Sequence, residues 1–127
     1  MKLIINTSNP LEIKLGLIEG RKQLAEICLP AERRQTEELL PAIERILREQ
    51  KLSLTDISKI VVASQGQSYT ALRIGILTAN ALAYGLNIPV EPLEADGKTR
   101  GRGKNAIVLP TYDRPLILQK KKPLNIG

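Results

Sequence analysis

The sequence predicts an α/β domain: three antiparallel strands, then helix, strand, helix and strand, building one mixed five-stranded sheet with helices packed on it. Three observations predict it. Apolar segments separated by turn residues fill the chain up to Pro30; apolar residues then recur at three- and four-residue spacing through Leu39, Ile43, Ile46 and Leu47; and Ile60-Val61-Val62 is apolar at every position, as a central parallel strand should be.

Each element has a local reason. Lys2 to Thr7 is apolar with β-branched residues and ends in the turn signal Ser8-Asn9-Pro10. Leu11, Ile13, Leu15 and Leu17 alternate with Glu12, Lys14, Gly16 and Ile18, the pattern of a half-buried strand. Glu19-Gly20 turns the chain into a third strand, Lys22 to Leu29, in which Leu24, Ile27 and Cys28 are apolar and Cys28 is expected to be buried rather than a reactive thiol. From Pro30 a charged stretch, 31–38, leads into a long amphipathic helix, with Pro41 predicting a kink or a loosened turn. Leu52 to Ile57 leads to the strand Lys59 to Ala63, and Ser64 to Ser68 is a polar loop whose last serine caps a second helix from about Tyr69 to Gly85. Ile88-Pro89-Val90 is the fifth strand. Residues 1–94 thus form one lobe, 95–106 a flexible basic linker with three glycines, and 107–127 a tail with short extended pieces at Ile107 to Leu109 and Pro115 to Leu118.

Composition narrows the function classes. With 127 residues there is room for one core, and without Phe or Trp that core must be built from Ile, Leu, Val and Ala. The single cysteine excludes an internal disulfide, and the absence of His removes imidazole chemistry and the usual metal sites. The opening apolar run is too short for a signal peptide, and no window approaches the roughly 20 apolar residues of a membrane span, so the cytoplasm is the expected compartment. The net charge of +6 is unevenly placed: residues 1–94 carry 11 basic against 11 acidic side chains, and residues 95–127 carry 8 against 2.

Glu37-Glu38-Leu39-Leu40-Pro41-Ala42-Ile43, Leu52-Ser53-Leu54-Thr55-Asp56-Ile57 and Ser68-Tyr69-Thr70-Ala71-Leu72-Arg73-Ile74-Gly75 carry a resemblance to a known family. In that family the first helix begins near His-Ser-Glu-x-Leu-Leu-Pro and the second follows Gly-Pro-Gly-Ser-Phe-Thr-Gly-Leu-Arg-Ile-Gly. Over residues 1 to about 94 the chain resembles TsaB, and the element order is that of a single actin-like ATPase (ribonuclease H-like) lobe. The resemblance implies a non-catalytic, degenerate relative of the subunit TsaD that docks to TsaD as a heterodimer, with the ATPase TsaE joining, in making N6-threonylcarbamoyladenosine in tRNA. It departs from the pattern at several places. The first-strand Asp-Thr-Ser is Asn6-Thr7-Ser8, Gly-Pro-Gly is Gln65-Gly66-Gln67, the Gly before Leu-Arg is Ala71, and the His is Gln35. The second lobe is missing, and Val108 to Pro115 with the following lysines resembles the Pro-x-Tyr-x-Arg and basic end of that family, so that 95–106 would bridge an internal deletion.

No catalytic, cofactor-binding or metal residue is expected. An actin-like phosphotransferase holds nucleotide and Mg²⁺ between two lobes with acidic residues, and here Asn6 replaces the carboxylate. The expected partner interface is Glu38, Leu39, Ala42, Ala71, Arg73, Gly75, Thr78 and Ala79. Ala71, Gly75, Ala79 and Ala83 recur every four residues, leaving one helix face flat enough for close approach either by a partner helix or by the domain's own sheet. Arg73 pairs either with an acid of the first helix such as Glu38 or with a partner. A competing reading makes the chain an RNA-binding module that contacts tRNA phosphates through Lys98, Arg100, Arg102, Lys104, Lys120, Lys121 and Lys122, or a homodimer formed through the same helices.

Overall fold

The computed structural model describes residues 1–66, 68–93 and 111–112. Strands β1 (Lys2–Asn6), β2 (Glu12–Glu19) and β3 (Lys22–Pro30) form an antiparallel meander, followed by helix α1 (Gln35–Glu49), β4 (Lys59–Ala63), the two-residue β5 (Gln65–Gly66), α2 (Tyr69–Leu86), β6 (Val90–Leu93) and β7 (Thr111–Tyr112). The main sheet has the order β3-β2-β1-β4-β6, with β1 antiparallel to β2 and parallel to β4, and β4 parallel to β6. This is the mixed five-stranded α/β sheet that the sequence predicts.

Alternation sets its inner face. Leu17, Leu3 and Ile60 stand in one cross-strand row and Leu15, Ile5 and Val62 in the next, all fully or almost fully buried. Leu39, Ala42, Ile43, Ile46 and Leu47 of α1 and Leu72, Ile76, Ala79 and Ala83 of α2 close over these rows in one apolar cluster. Both helices therefore lie on the same side of the sheet.

The helix ends follow local chemistry. Glu37 and Glu38 sit in the first turn of α1 and Arg48 in its last, which suits the helix dipole. Gln35 is buried, and its amide Nε2 donates to the Pro10 carbonyl, tying the start of α1 to the first hairpin. The helix continues through Pro41 to Glu49. Ser68 caps α2 by accepting from the Ala71 amide at 3.2 Å, as expected, and Asn87 ends it in the left-handed conformation, φ 58°.

Four details differ from the sequence reading. The fifth strand begins at Val90 rather than Ile88, because the Ile88 amide still bonds the Ala83 carbonyl and Pro89 has no amide to give to the ladder. Glu91 thereby falls inside a strand. Leu11 is 54% exposed in the turn before β2, since the alternation that includes it starts one residue before the ladder does. Cys28 lies in β3, but it is exposed: β3 is the outer strand, and Cys28 pairs with Lys14 on the side away from the helices. The polar loop contains β5, which pairs in parallel with β7. The linker 95–106 and the extended pieces expected at 107–109 and 115–118 lie outside the described residues. No helix among the described residues is long and apolar enough to cross a membrane.

Candidate functional site

The small-residue row of α2 faces inward. Ala71, Gly75, Ala79 and Ala83 are all buried, and a Cβ built on Gly75 would lie 2.5 Å from Thr7 Oγ1. Thr7 is itself fully buried at the end of β1 and donates to the Ala71 carbonyl at 2.7 Å. The reading of this row as a seam for a partner helix is thus corrected: four-residue spacing marks a flat face without saying which neighbour takes it, and here β1 does. Leu39 and Ala42 of α1 are likewise inside the core. Sequence reasoning missed Thr7, whose signal is a hydroxyl at a strand end opposite a helix glycine.

Of the expected interface residues, Glu38, Arg73 and Thr78 retain surface. Glu38 is held by Arg34 at 2.7 Å, four residues before it, and its carboxylate beside Glu37 raises the Arg34 pKa. The Arg73 guanidinium lies over the Tyr69 ring, 5.5 Å from its centroid, rather than on Glu38.

The outer side of α2 is apolar where a solvated face would be charged. Leu77 is 58% exposed and Tyr84 85%, with exposed Ala81 between them on the same stripe of α2. Leu40 of α1 is 50% exposed beside exposed Pro41. Three of the four large exposed hydrophobics among the described residues therefore sit on these two helices. The signal for this patch was present in the sequence: α2 has a single charged side chain, Arg73, so it is apolar on more sides than one sheet can cover.

The carboxyl ends of β1 and β4, facing the start of α2, are closed by local bonds. Asn6 Oδ1 accepts from the Ser8 amide at 2.9 Å and from Ser8 Oγ at 2.6 Å. Gly66 passes so near Ser8 that an added Cβ would lie 2.9 Å from it, and on the backbone of Gln65–Gly66 β7 is paired. These groups are hydroxyls and an amide already engaged with one another. Among the described residues no three His, Cys, Asp or Glu side chains gather as a metal site. The basic residues Lys98, Arg100, Arg102, Lys104, Lys120, Lys121 and Lys122 lie outside the described residues.

Residues 29–95, more than half of the chain, match the family model "TsaD: tRNA N6-adenosine threonylcarbamoyltransferase". The chain belongs to this family. Within it the chain is TsaB-like: it is 30% identical over 113 residues to the tRNA threonylcarbamoyladenosine biosynthesis protein TsaB of Bacillus subtilis (strain 168), a match covering 87% of this chain and 49% of that protein. It is also 45% identical over 60 residues to the tRNA N6-adenosine threonylcarbamoyltransferase of Geotalea daltonii, covering 47% of this chain and 18% of that enzyme. A solved structure of YeaZ from Pseudomonas aeruginosa has the same fold, with TM-score 0.67 at 24% identity over 73% of this chain and 43% of that one. The match spans about half the length of the Bacillus subtilis TsaB.

Proposed function

We propose that the chain is a non-catalytic TsaB-type subunit that docks a TsaD-like chain through the outer side of α1 and α2 and so supports threonylcarbamoyladenosine synthesis in tRNA. The observation that carries this reading is the exposed apolar stripe Leu77, Ala81 and Tyr84 of α2, with Leu40 also exposed on α1. An exposed apolar patch of this kind on a small domain is best explained by a partner, and an exposed aromatic with neighbouring aliphatics has the composition of a binding hot spot. Arg73 and Thr78 on α2, and Glu38 on α1, would form the polar rim of that contact. The buried members of the expected set, Leu39, Ala42, Ala71, Gly75 and Ala79, would act by holding α1 and α2 in place beneath it. Asn6 supports the absence of catalysis, because an amide engaged by Ser8 offers no carboxylate to a metal–nucleotide pair.

Co-expression with the TsaD of the same organism tests the proposal. The two chains should purify as a stable heterodimer, and Leu77→Asp or Tyr84→Asp should abolish it while leaving the circular dichroism of this chain unchanged. A TsaD that purifies alone beside folded, unmutated chain would overturn it. The excess of 8 basic over 2 acidic residues in 95–127 favours an added role in holding tRNA phosphates, with affinity falling steeply as salt is raised.

A further inference from the structure

Parallel neighbours such as β1, β4 and β6 are stable when both faces of the sheet are covered. α1 and α2 cover one. Val61, Ala63 and Glu91 point to the other, away from the helix-side cluster, and yet they are only 0%, 5% and 4% exposed. Next to them this second face opens into a groove of about 180 Å³ whose apolar part is Ile4, Ile18 and Leu93 over Gly16, with Asn6, Lys14, Gln23 and Glu26 along its polar edge. A Cβ on Gly16 would meet only the Ala25 carbonyl and Ile4 Cβ, each at 3.8 Å, so the described chain does not itself require glycine there. Glycine inside a strand is then a place for another segment to approach closely.

Glu91 adds a charge argument. One oxygen of its carboxylate lies 3.3 Å from Lys59 Nζ, and the other, Oε1, is buried without a hydrogen-bond partner among the described residues. A buried carboxylate oxygen calls for a donor, and a cationic one answers best.

We infer that the second face is the docking site of the chain's own C-terminal residues 113–127, with Leu116, Ile117 and Leu118 over the groove and a lysine of the run 120–122 donating to Glu91 Oε1. β7 holds the chain at Tyr112, paired with Gly66 of β5 in the two-stranded sheet just past the end of β4. Leu116 to Leu118 follow Tyr112 by 4 to 6 residues and can reach about 13–20 Å at about 3.3 Å each, and the lysines 120–122 about 26–33 Å, against about 20 Å for the width of five strands. Within them the apolar run Leu116 to Leu118 is followed by the cationic run Lys120 to Lys122, an order that suits the apolar part of the groove beside the Glu91 carboxylate. The inference is independent of the docking ridge, which lies on the opposite face.

Cys28 makes the test direct, since it is the chain's one cysteine and is exposed on this second face. A nitroxide attached to Cys28 of the full chain should cost the methyl signals of Leu116, Ile117 and Leu118 at least half of their intensity relative to the reduced label. Ile18→Lys, which replaces an apolar wall of the groove with a second cation beside Lys14, and Glu91→Gln, which keeps the shape and removes the charge, should each restore that intensity. Undiminished signals in the labelled wild-type chain would overturn the inference. So would broadening confined to Ile107, Val108 and Leu109, or broadening that arises only between labelled and unlabelled copies in a mixed sample.

Discussion

The two helices lie side by side on one sheet and treat solvent differently. α1 is an ordinary amphipathic helix: its inner stripe is Leu39, Ile43, Ile46 and Leu47, and its outer side carries Glu44 and the ion pair of Arg45 with Glu49 at 3.1 Å. α2 packs small residues inward against β1 and turns Leu77 and Tyr84 outward. α1 leaves Leu40 as its one large exposed hydrophobic, whereas α2 keeps a whole apolar stripe at the surface. The difference teaches where to look for a partner: the informative face is the one whose apolar residues the domain's own core does not use.

That contrast can be broken most forcefully with two leucines of α2. Leu72→Ala should cost about 2–5 kcal/mol in chemical denaturation, because Leu72 is fully buried and truncation leaves a cavity. Leu77→Ala, five residues on, should stay within about 0.5 kcal/mol of the parent, and an equal loss at both sites would erase the distinction between the faces. Gly75→Ala comes next, at about 1–3 kcal/mol, since the new methyl would collide with Thr7 at the tip of β1. Thr7→Val should cost about 1 kcal/mol by removing the bond to the Ala71 carbonyl, and its melting curve would show whether β1 and α2 are joined by that hydroxyl or by packing alone.

The smallest expected effect is on the outer strand. Glu12 Oε1 accepts from Cys28 Sγ at 3.3 Å, and this bond, before slight burial and the Glu12 charge, raises the thiol pKa. Alkylation of Cys28 should therefore begin at higher pH than that of free cysteine, and Glu12→Gln should move its onset back down. Because the folded pKa is the higher one, the thiol's contribution to stability is present below the unfolded pKa and fades as pH rises through the folded value. A Cys28 that alkylates with the profile of free cysteine would show that the contact is not kept in solution.

Much of this architecture could be read from local pattern. The strict alternation at Ile13, Leu15 and Leu17, the three- and four-residue spacing from Leu39 to Leu47 and the serine cap at Ser68 each report a dihedral preference or a periodicity within a few residues, and the elements stand where those signals lie. The shifted start of β6 is an exception of the same local kind, because the end of α2 borrows the Ile88 amide. The candidate site was harder to read. The flat row through Gly75 and the exposed stripe through Leu77 lie on one helix and are both apolar, so their spacing alone could not rank them.

Residue order alone was enough for the kind of each element, the succession of strands and helices and the partition of charge toward the tail, since these follow from short-range sterics, hydrogen bonding and composition. Which side of α2 is sealed, that Cys28 faces away from the core, and that Glu91 is buried with one oxygen lacking a hydrogen-bond partner among the described residues were settled only by the assembled sheet. Burial is a property of neighbours far apart in the chain, such as Thr7 and Gly75, and no window short enough to show periodicity contains them both.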